Sequence, residues 1–400
     1  PIHKKKWGTS QYTIDACDAY ETVRNTSDPI TLPASLSSAA IGYFKASNAE
    51  MIDNFGYSVA LSADGNTMAV GAIYEDSSYS GIDPVNGEDD NSATYAGAVY
   101  VFVRSGSTWV QEAYVKASNA EATDYFGQSV TLSADGNTLA VGAYGEDSSY
   151  KGIDPANGED DNSASYAGAV YVFTRSGSVW SQQAYVKASN TDGDDWFGSA
   201  VSLSADGNTM AVGARMEASS YTGIDPAGGQ ADNSAGDAGA VYVFTRTGSL
   251  WSQQAYVKAS NTGTGDYFSH SVSLSADGNT MAVGAIYEDS SYSGIDPANG
   301  EDDNSATSSG AVYVFTRSGS VWSQQAYVKA SNTDGGDFFG YSVSLSADGN
   351  TMAVGADQED SSHKGIDPVG GQADNNAEQA GAVYVFTRSG SVWSQQAYVK

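Results

Sequence analysis

The sequence predicts an all-β fold, a β-propeller of four-stranded antiparallel blades built from five 71-residue repeats. Three observations predict it: a repeat of constant length, an alternation of apolar residues with period two, and turn residues between the alternating runs. The string Leu-Ser-Ala-Asp-Gly-Asn-Thr recurs in every repeat, with its aspartates at Asp64, Asp135, Asp206, Asp277 and Asp348. Several short strands per unit, repeated at a fixed spacing, are typical of propeller blades.

The repeat divides the chain into segments. Residues 44–398 hold the five units, with bounds at 44–114, 115–185, 186–256, 257–327 and 328–398. Residues 1–43 lie outside the repeat and are predicted to form an extended arm with short strands, while residues 399–400 begin a sixth copy of the last strand. We expect the five blades to close into a ring; a six-bladed ring that uses the N-terminal segment, or an open array, are the alternatives.

Each unit contains two predicted hairpins. In the first unit, apolar residues alternate in 58–62 and 67–72, on either side of Asp64-Gly65. An Asp-Gly pair between two alternating runs indicates a two-residue primed turn, because glycine tolerates a positive φ. The second hairpin pairs residues 98–102 with 109–116 across a Ser-Gly-Ser turn. The sequence therefore predicts four strands per blade and almost no helix.

Composition excludes several classes of partner. The chain has 48 acidic and 18 basic residues, and a net charge of −30. Binding to nucleic acid or to an anionic membrane surface needs clustered Lys and Arg, so both are excluded. Apolar runs such as Ala98–Val103 are far shorter than the ~20 residues of a bilayer span, so no membrane insertion is expected. With 45 Gly, 26 Tyr and one cysteine, Cys17, the chain is predicted to be extracellular or at the cell surface, in a bacterium.

The long connection between the two hairpins, residues 73–96 in the first unit, is rich in acids. Each copy carries three recurring carboxylates with at most one base nearby. Because Ca²⁺ takes 6–8 oxygen ligands, the loops are predicted to bind calcium; a solvated acidic loop is the alternative. The twelve predicted metal ligands are Glu75, Asp83, Asp90, Glu146, Asp154, Asp161, Glu288, Asp296, Asp303, Glu359, Asp367 and Asp374.

The third unit is expected to bind metal most weakly. Its equivalents of the three acids are Glu217, Asp225 and Asp232, but Ala218 replaces the acid found at Asp76 in the first unit. Gln230-Ala231 likewise replaces an acidic pair.

Two further recurring sets allow two roles each. An aspartate before each Phe-Gly pair is expected to cap a turn, or to join a neighbouring metal site. These residues are Asp53, Asp124, Asp195, Asp266 and Asp337. The recurring Trp of the outer hairpin, and the Tyr of Gln-Ala-Tyr-Val-Lys, are expected to pack blade against blade, with sugar stacking as the alternative. They are Trp109, Trp180, Trp251, Trp322, Trp393, Tyr114, Tyr185, Tyr256, Tyr327 and Tyr398.

Several motifs in each unit resemble a known family. They are Phe55-Gly56, Val70-Gly71-Ala72 and Gly97–Phe102 with their equivalents, while Phe268-Ser269 departs from the first. The chain resembles the FG-GAP repeat of the integrin α-subunit propeller, in its bacterial surface-protein form. The integrin-type propeller has seven blades, more than five units can fill. Its calcium loop lies in the first hairpin, where this chain has Asp64-Gly65, so the family's metal residues do not carry over there.

The function expected from these features is that of a non-enzymatic adhesion or structural scaffold, stabilised by calcium. Acids repeated in every blade favour binding or scaffolding, whereas a catalytic site is a single asymmetric constellation. Spare copies of the terminal strand, Ile41–Lys45 and Gln396–Lys400, or the 1–43 arm, predict self-association into an extracellular fibre by strand addition. Other surface proteins or polysaccharide are the further expected partners. A carbohydrate-binding or glycan-processing propeller with a central pocket is the alternative.

Overall fold

The computed structural model describes residues 11–12, 15–17, 23–26, 30–31 and 44–400, apart from 157, 299, 369, 371 and 373. The chain divides into two compact units, residues 1–47 with 105–108, and residues 48–104 with 109–400. Four short strands lie near the N-terminus and form two two-stranded sheets, β1 with β4 and β2 with β3. They are β1 (Gln11–Tyr12), β2 (Asp15–Cys17), β3 (Val23–Thr26) and β4 (Ile30–Thr31). Most of the predicted terminal strand copy Ile41–Lys45 lies outside the described residues.

The repeats form five four-stranded sheets, each with its strands in chain order. The first blade has β5 (Phe55–Leu61), β6 (Thr67–Ala72), β7 (Ala98–Ser105) and β8 (Thr108–Val115). The second has β9 (Ser129–Leu132), β10 (Thr138–Ala143), β11 (Ala169–Ser176) and β12 (Val179–Val186). The third has β13 (Phe197–Leu203), β14 (Thr209–Ala214), β15 (Ala240–Thr247) and β16 (Leu250–Val257). The fourth has β17 (Phe268–Leu274), β18 (Thr280–Ala285), β19 (Ala311–Ser318) and β20 (Val321–Val328). The fifth has β21 (Phe339–Leu345), β22 (Thr351–Ala356), β23 (Ala382–Ser389) and β24 (Val392–Val399).

This arrangement confirms the predicted all-β blades. Short 3-10 turns are the helical elements of the described residues, at Gly87–Asp89, Gly158–Asp160, Gly229–Ala231 and Gly300–Asp302.

The Asp64-Gly65 turn differs from the predicted two-residue type. The Ser62 amide bonds the Thr67 carbonyl, and the Gly65 amide bonds the Ser62 carbonyl. Only Gly65 has a positive φ, of 64°, whereas a type I′ turn needs one at both central residues. The connection is therefore a four-residue loop around a type I turn. Asp64 stabilises it by accepting from the Ser62 hydroxyl at 2.6 Å and the Asn66 amide at 2.9 Å.

Adjacent blades are joined where the Phe-Gly turn of one blade packs against two glycines of the blade before it. We name this pair of glycines, Gly71 and Gly97 in the first blade, the cradle. At the first interface, the Phe126 amide donates to the Ala96 carbonyl of the preceding blade. A Cβ on Gly71 would lie 2.3 Å from the Gly127 carbonyl oxygen, and one on Gly97 would lie 2.1 Å from that of Phe126. These distances forbid any side chain on the two cradle glycines. From the second blade onward, each Phe-Gly turn, or Phe-Ser in the fourth blade, thus docks on the blade before it.

Four buried apolar clusters fill the interfaces between successive blades. Val59 and Leu61 of the first blade are 54 % and 57 % exposed, whereas their third-blade equivalents, Val201 and Leu203, are each 8 % exposed. Val383, on the opposite face of the fifth blade, is also exposed. The five described blades therefore do not close on one another, so the expected five-bladed ring is wrong and the blades form an open array. The six-bladed alternative uses residues 1–43, most of which lie outside the described residues. Because the four interfaces use equivalent contacts, the step between blades is nearly constant, and four such steps leave the end faces apart.

Candidate functional site

Each long loop begins with a buried glutamate whose charge is balanced by a lysine from the end of the outer strand. In the first blade, Lys116 Nζ lies 2.7 Å from Glu75 Oε2, and both side chains are almost completely buried. The Tyr114 hydroxyl donates to the other oxygen, Glu75 Oε1, at 2.7 Å. The Asn48 amide donates to the same oxygen at 3.2 Å, and the Ser77 backbone amide donates to Oε2 at 3.2 Å. The carboxylate is thus saturated by donors of its own protein.

All five blades repeat this ion pair. The Nζ–Oε2 distance is 2.6 Å for Lys187–Glu146, 2.8 Å for Lys258–Glu217 and 2.6 Å for Lys329–Glu288, and Lys400 pairs with Glu359. Burial lowers the pKa of each interior lysine, while the partner glutamate opposes that shift. A buried charge pair is tolerated only when its geometry and hydrogen bonds are complete, as they are around Glu75.

The network also couples neighbouring blades. In the linker Lys116-Ala117-Ser118-Asn119, Lys116 binds Glu75 of its own blade, and Asn119 binds Glu146 of the next at 3.3 Å. The side-chain oxygen Oδ1 of Asn119 accepts from the Tyr171 hydroxyl at 2.5 Å. One four-residue linker therefore fastens two successive loops.

The second predicted acid of each loop attaches the loop to the outer strand. Asp83 Oδ1 accepts from the Tyr114 amide at 2.8 Å, and the Asp83 amide donates to the Tyr114 carbonyl. Asp83 has a positive φ of 46°, and Ile82 forms an isolated bridge with Val115. The same bond recurs at Asp154, Asp225, Asp296 and Asp367.

The third predicted acid closes the loop on itself. Asp90 Oδ2 accepts from the Ser78 amide at 2.7 Å, the Ser78 hydroxyl at 3.0 Å and the Ser92 hydroxyl at 2.9 Å. These donors lower the pKa of Asp90. The corresponding serine amide binds Asp161, Asp232, Asp303 and Asp374.

The predicted calcium ligands are thus held by three separate sets of protein donors. In the first blade, Glu75 forms the buried ion pair with a lysine. Asp83 attaches the loop to the outer strand, and Asp90 closes the loop on itself. In the described part of the chain, no group of three or more acidic, histidine or cysteine side chains is placed to hold a metal ion. The twelve residues do not fit a calcium site in this geometry, and calcium binding stays a prediction.

The aspartates before Phe-Gly cap turns. Asp53 Oδ2 accepts from the Glu50 amide at 2.7 Å, and Asp124 Oδ2 accepts from the Glu121 amide at 2.8 Å. The same bond recurs at Asp195, Asp266 and Asp337. Burial raises the pKa of Asp124 and Asp195 to about 8. This is the turn role that the sequence favoured.

The recurring tryptophans pack between blades, as expected. Trp180 is buried, and its indole Nε1 donates to Glu112 of the preceding blade at 3.1 Å. The Arg175 guanidinium lies 5.3 Å from the Trp180 ring and reaches Glu112 at 2.8 Å and Thr67 at 3.1 Å. The recurring tyrosines are fully buried. The tyrosines and the four tryptophans of the later blades are buried away from any surface on which sugars could stack, whereas Trp109 of the first blade is half-buried.

A different group of aromatic residues, which sequence reasoning missed, lies half-buried across the first three blades. We name Tyr74, Tyr95, Tyr125, Tyr144, Tyr166 and Trp196 the aromatic strip. Ring centroids lie 4.7 Å apart for Tyr74 and Tyr95, 4.8 Å for Tyr125 and Tyr144, and 4.7 Å for Tyr144 and Trp196. The Arg215 guanidinium extends the strip, 4.6 Å from the Trp196 ring.

The strip occupies positions at which the repeats differ. The position of Trp196 is Asn54, Tyr125, Tyr267 or Phe338 in the other copies, and the position of Tyr95 is Tyr166, Asp237, Ser308 or Gln379. The Glu, Lys and Tyr of the buried network, in contrast, are the same in all five. This difference between copies was a signal present in the sequence.

Solved structures similar to this chain include the following two, both with low TM-scores. A Bacteroides uniformis protein named a "putative 6-phosphogluconolactonase" is 8% identical, with a TM-score of 0.40, over 85% of this chain and 84% of that chain. A "putative TolB" from Agrobacterium tumefaciens is 10% identical, with a TM-score of 0.38, over 87% of this chain and 82% of that chain. Among curated proteins, no relative matches this chain.

No helix of the described residues is both long and apolar enough to span a membrane.

The family match covers well over half of the sequence and includes strands of all five blades. The FG-GAP repeat family matches residues 43–84, 109–173, 180–244, 251–296 and 322–386. The chain therefore belongs to the FG-GAP repeat family.

Proposed function

We propose that this protein is a non-catalytic adhesion scaffold of the bacterial cell surface, and that the aromatic strip binds its partner. The observation that carries the proposal is the division between constant and variable positions. Most residues that build and join the blades are the same in every copy, whereas the half-buried strip and its neighbour Arg215 differ from copy to copy. A specific ligand is bound by side chains that differ from those of the repeated scaffold. The contiguous variable strip on otherwise repeated blades has this property.

A non-catalytic role is supported by the fate of the acids. The recurring loop carboxylates are occupied by Lys Nζ, Tyr hydroxyl, Ser hydroxyl and backbone amide donors. A general acid or base must be free to exchange a proton with a substrate. The one-off residues Arg215 and His270 contact each other, with Nη1 and Nδ1 3.4 Å apart, and burial lowers the pKa of His270 to about 4. These two residues extend the binding face in this proposal.

The ligand class follows from the chemistry of the strip. Tyr and Trp combine an apolar ring with a polar tip, and they suit ligands that present both CH faces and hydroxyl groups. The surrounding chain is strongly acidic, with a net charge of −30, which disfavours polyanions. Neutral surface polysaccharide is therefore the proposed partner. The FG-GAP fold is typical of extracellular proteins, and this supports the surface location.

The test is affinity electrophoresis of the full chain in gels that contain neutral polysaccharides. We expect retardation of the wild type, and a loss of at least about tenfold in affinity for Tyr144→Ala and Trp196→Ala. Tyr221→Ala is the matched control, since Tyr221 is an exposed aromatic of the third loop, outside the strip. Equal retardation of strip and control variants would overturn the proposal. Release of reducing ends from the polysaccharide would instead support the glycan-processing alternative.

A further inference from the structure

Among the five described blades, the first and the fifth each expose one half of the internal interface. The half on the fifth blade is the cradle, an apolar cavity of about 480 Å³ whose lining includes Gly355, Gly381, Val383 and Val399. At internal interfaces the glycine equivalent to Gly355 touches the turn of the next blade, whereas Gly355 itself meets only Ser342 of its own blade. The cradle that receives a Phe-Gly turn in four blades is thus open in the fifth.

The half on the first blade is the Phe55-Gly56 turn. The four later phenylalanines of this motif are completely buried, whereas Phe55 is only partly buried. A Cβ on Gly56 would meet no atom within 4 Å, while one on Gly127 would lie 2.8 Å from the Ala98 carbonyl oxygen. The turn has the backbone conformation of its docked copies, since φ is 95° at Gly56 and 94° at Gly127.

The polar contacts between blades also form a series with two matching ends. Each Ala-Asp-Gly loop donates its alanine amide to the alanine carbonyl of the next loop, from Ala63 through Ala134, Ala205 and Ala276 to Ala347. Among the described residues, this series leaves the Ala63 carbonyl without an alanine amide donor, and the Ala347 amide without an alanine carbonyl acceptor.

The arginine contacts give the same result. Arg246, Arg317 and Arg388 each reach back to a glutamine and a threonine of the blade before. The matching ends are Arg104 on the first blade, and Gln396 and Thr351 on the fifth, both of which are exposed.

We propose that these halves join between two copies of the chain: the fifth-blade cradle of one copy binds the Phe55-Gly56 turn of the next. The interface would repeat the one already formed four times within each copy, with the Phe55 amide on the Ala380 carbonyl and Arg104 on Gln396. A second copy is the occupant because its first blade carries the complementary residues at every position. A head-to-tail contact that does not close produces an extending chain of copies.

This inference deepens the scaffold function proposed above and rests on it. It differs from strand addition at a sheet edge, because the surfaces that meet are the faces of blades. Four residues equivalent to Val383, namely Val99, Val170, Val241 and Val312, are completely buried at internal interfaces. Docking would bury Val383 and Leu61 in the same way.

The test uses two variants of the full chain that each block one end. Leu61→Lys blocks the first-blade face, and Val383→Lys blocks the fifth-blade face. Val321→Lys is the matched control, since Val321 is 69% exposed on an outer strand, away from both end faces. Sedimentation velocity over a range of concentrations should show a growing series of species for the wild type and the control, and monomer for each blocked variant alone. An equimolar mixture of the two blocked variants should give a dimer and nothing larger, because one intact turn and one intact cradle remain.

Three results would overturn the inference: a wild type that stays monomeric at every concentration, blocked variants that associate like the wild type, or a mixture that stays monomeric. Circular dichroism and melting of each variant check that the blades are folded. Polysaccharide binding by the Leu61→Lys monomer separates the two proposals, because the aromatic strip is intact in that variant. Loss of assembly with retained polysaccharide binding supports the docking and shows that the strip binds independently of it. Retained assembly with lost polysaccharide binding contradicts the docking and the binding proposal together.

Discussion

The buried Lys–Glu pair is the residue-scale feature on which each loop depends. Replacing Lys187 by Met leaves the Glu146 carboxylate buried without its counter-charge, and removing one partner of such a pair costs about 3–5 kcal/mol. We expect Lys187→Met to lower the free energy of unfolding by that amount in urea titrations. The double variant Glu146→Gln with Lys187→Met should recover much of the loss, since no charge remains buried. A single variant as stable as the wild type would contradict the role given to the pair.

Ser269 is the residue-scale departure from the Phe-Gly turn, and it predicts a stabilising substitution. Its φ is 79°, a conformation that favours glycine, and its buried hydroxyl has no hydrogen-bond partner among the described residues. Ser269→Gly removes the strain and the unpaired hydroxyl, so the free energy of unfolding should rise by roughly 1–3 kcal/mol. The reverse change, Gly127→Ser, should lower it at the equivalent turn. Thermal and urea unfolding of both variants measure the pair of effects, and a destabilised Ser269→Gly variant would refute the argument.

The buried turn aspartates predict the pH dependence of stability. Burial raises the pKa of Asp124 and Asp195 to about 8, and that of Asp266 and Asp337 to about 7. Unfolded aspartate titrates near 3.8. Between these values the folded chain binds protons that the unfolded chain does not, so stability falls as pH rises from about 4 to about 8. The melting temperature should therefore be higher at pH 5.5 than at pH 8.5.

The matched variants for this pH effect are Asp195→Asn and Asp348→Asn. An asparagine at 195 keeps the carbonyl that accepts from Asp192 but does not titrate, so the fall in melting temperature should become smaller. Asp348 is exposed, and hydrogen bonds lower its pKa, so its contribution changes only below about pH 4. Its substitution should leave the slope between pH 5.5 and pH 8.5 unchanged. An equal slope in wild type and Asp195→Asn would contradict the assignment.

At the scale of elements, the long loop is a structural clip whose acids are satisfied by the protein. Glu75, Asp83 and Asp90 hold a lysine, an outer strand and two serines, respectively. Because these carboxylates already accept from donors of the protein, we expect little change in melting temperature when calcium is added or chelated. Differential scanning calorimetry with excess Ca²⁺ and with chelator measures this. A rise of several degrees on adding calcium would instead support the calcium binding predicted from the sequence.

The sequence predicted the blades because the repeat fixes each strand five times over. It could not reveal the partner of Glu75, since Lys116 lies 41 residues away on the end of another strand. Counting bases only within the loop led to the calcium hypothesis, although both residues recur with the same period. The sequence also did not reveal why Gly71 and Gly97 must be small: the Phe-Gly turn of the next blade packs against them. That contact joins separate repeats, and periodicity within one repeat does not show it.

At the scale of the whole molecule, the blades behave as a one-dimensional array in which each unit contacts its neighbours. Stability in such arrays is approximately a sum of unit and interface contributions. The four internal interfaces are nearly identical, and the exposed end faces carry the two halves of a fifth. The open array therefore has a built-in polarity, with a Phe-Gly turn at one end and a glycine cradle at the other.

Hydrogen exchange of the Phe55 segment tests this account most directly. Peptides that contain Phe126, Phe197, Phe268 and Phe339 are internal controls, since their amides bond a preceding blade and should exchange slowly at any concentration. The peptide with Phe55 should exchange fast in dilute solution and slow down as the protein is concentrated, when the turn docks on the fifth blade of another copy. Protection of Phe55 in the dilute monomer would show a closed ring, and fast exchange at every concentration would show that the two ends do not join; either result contradicts the account.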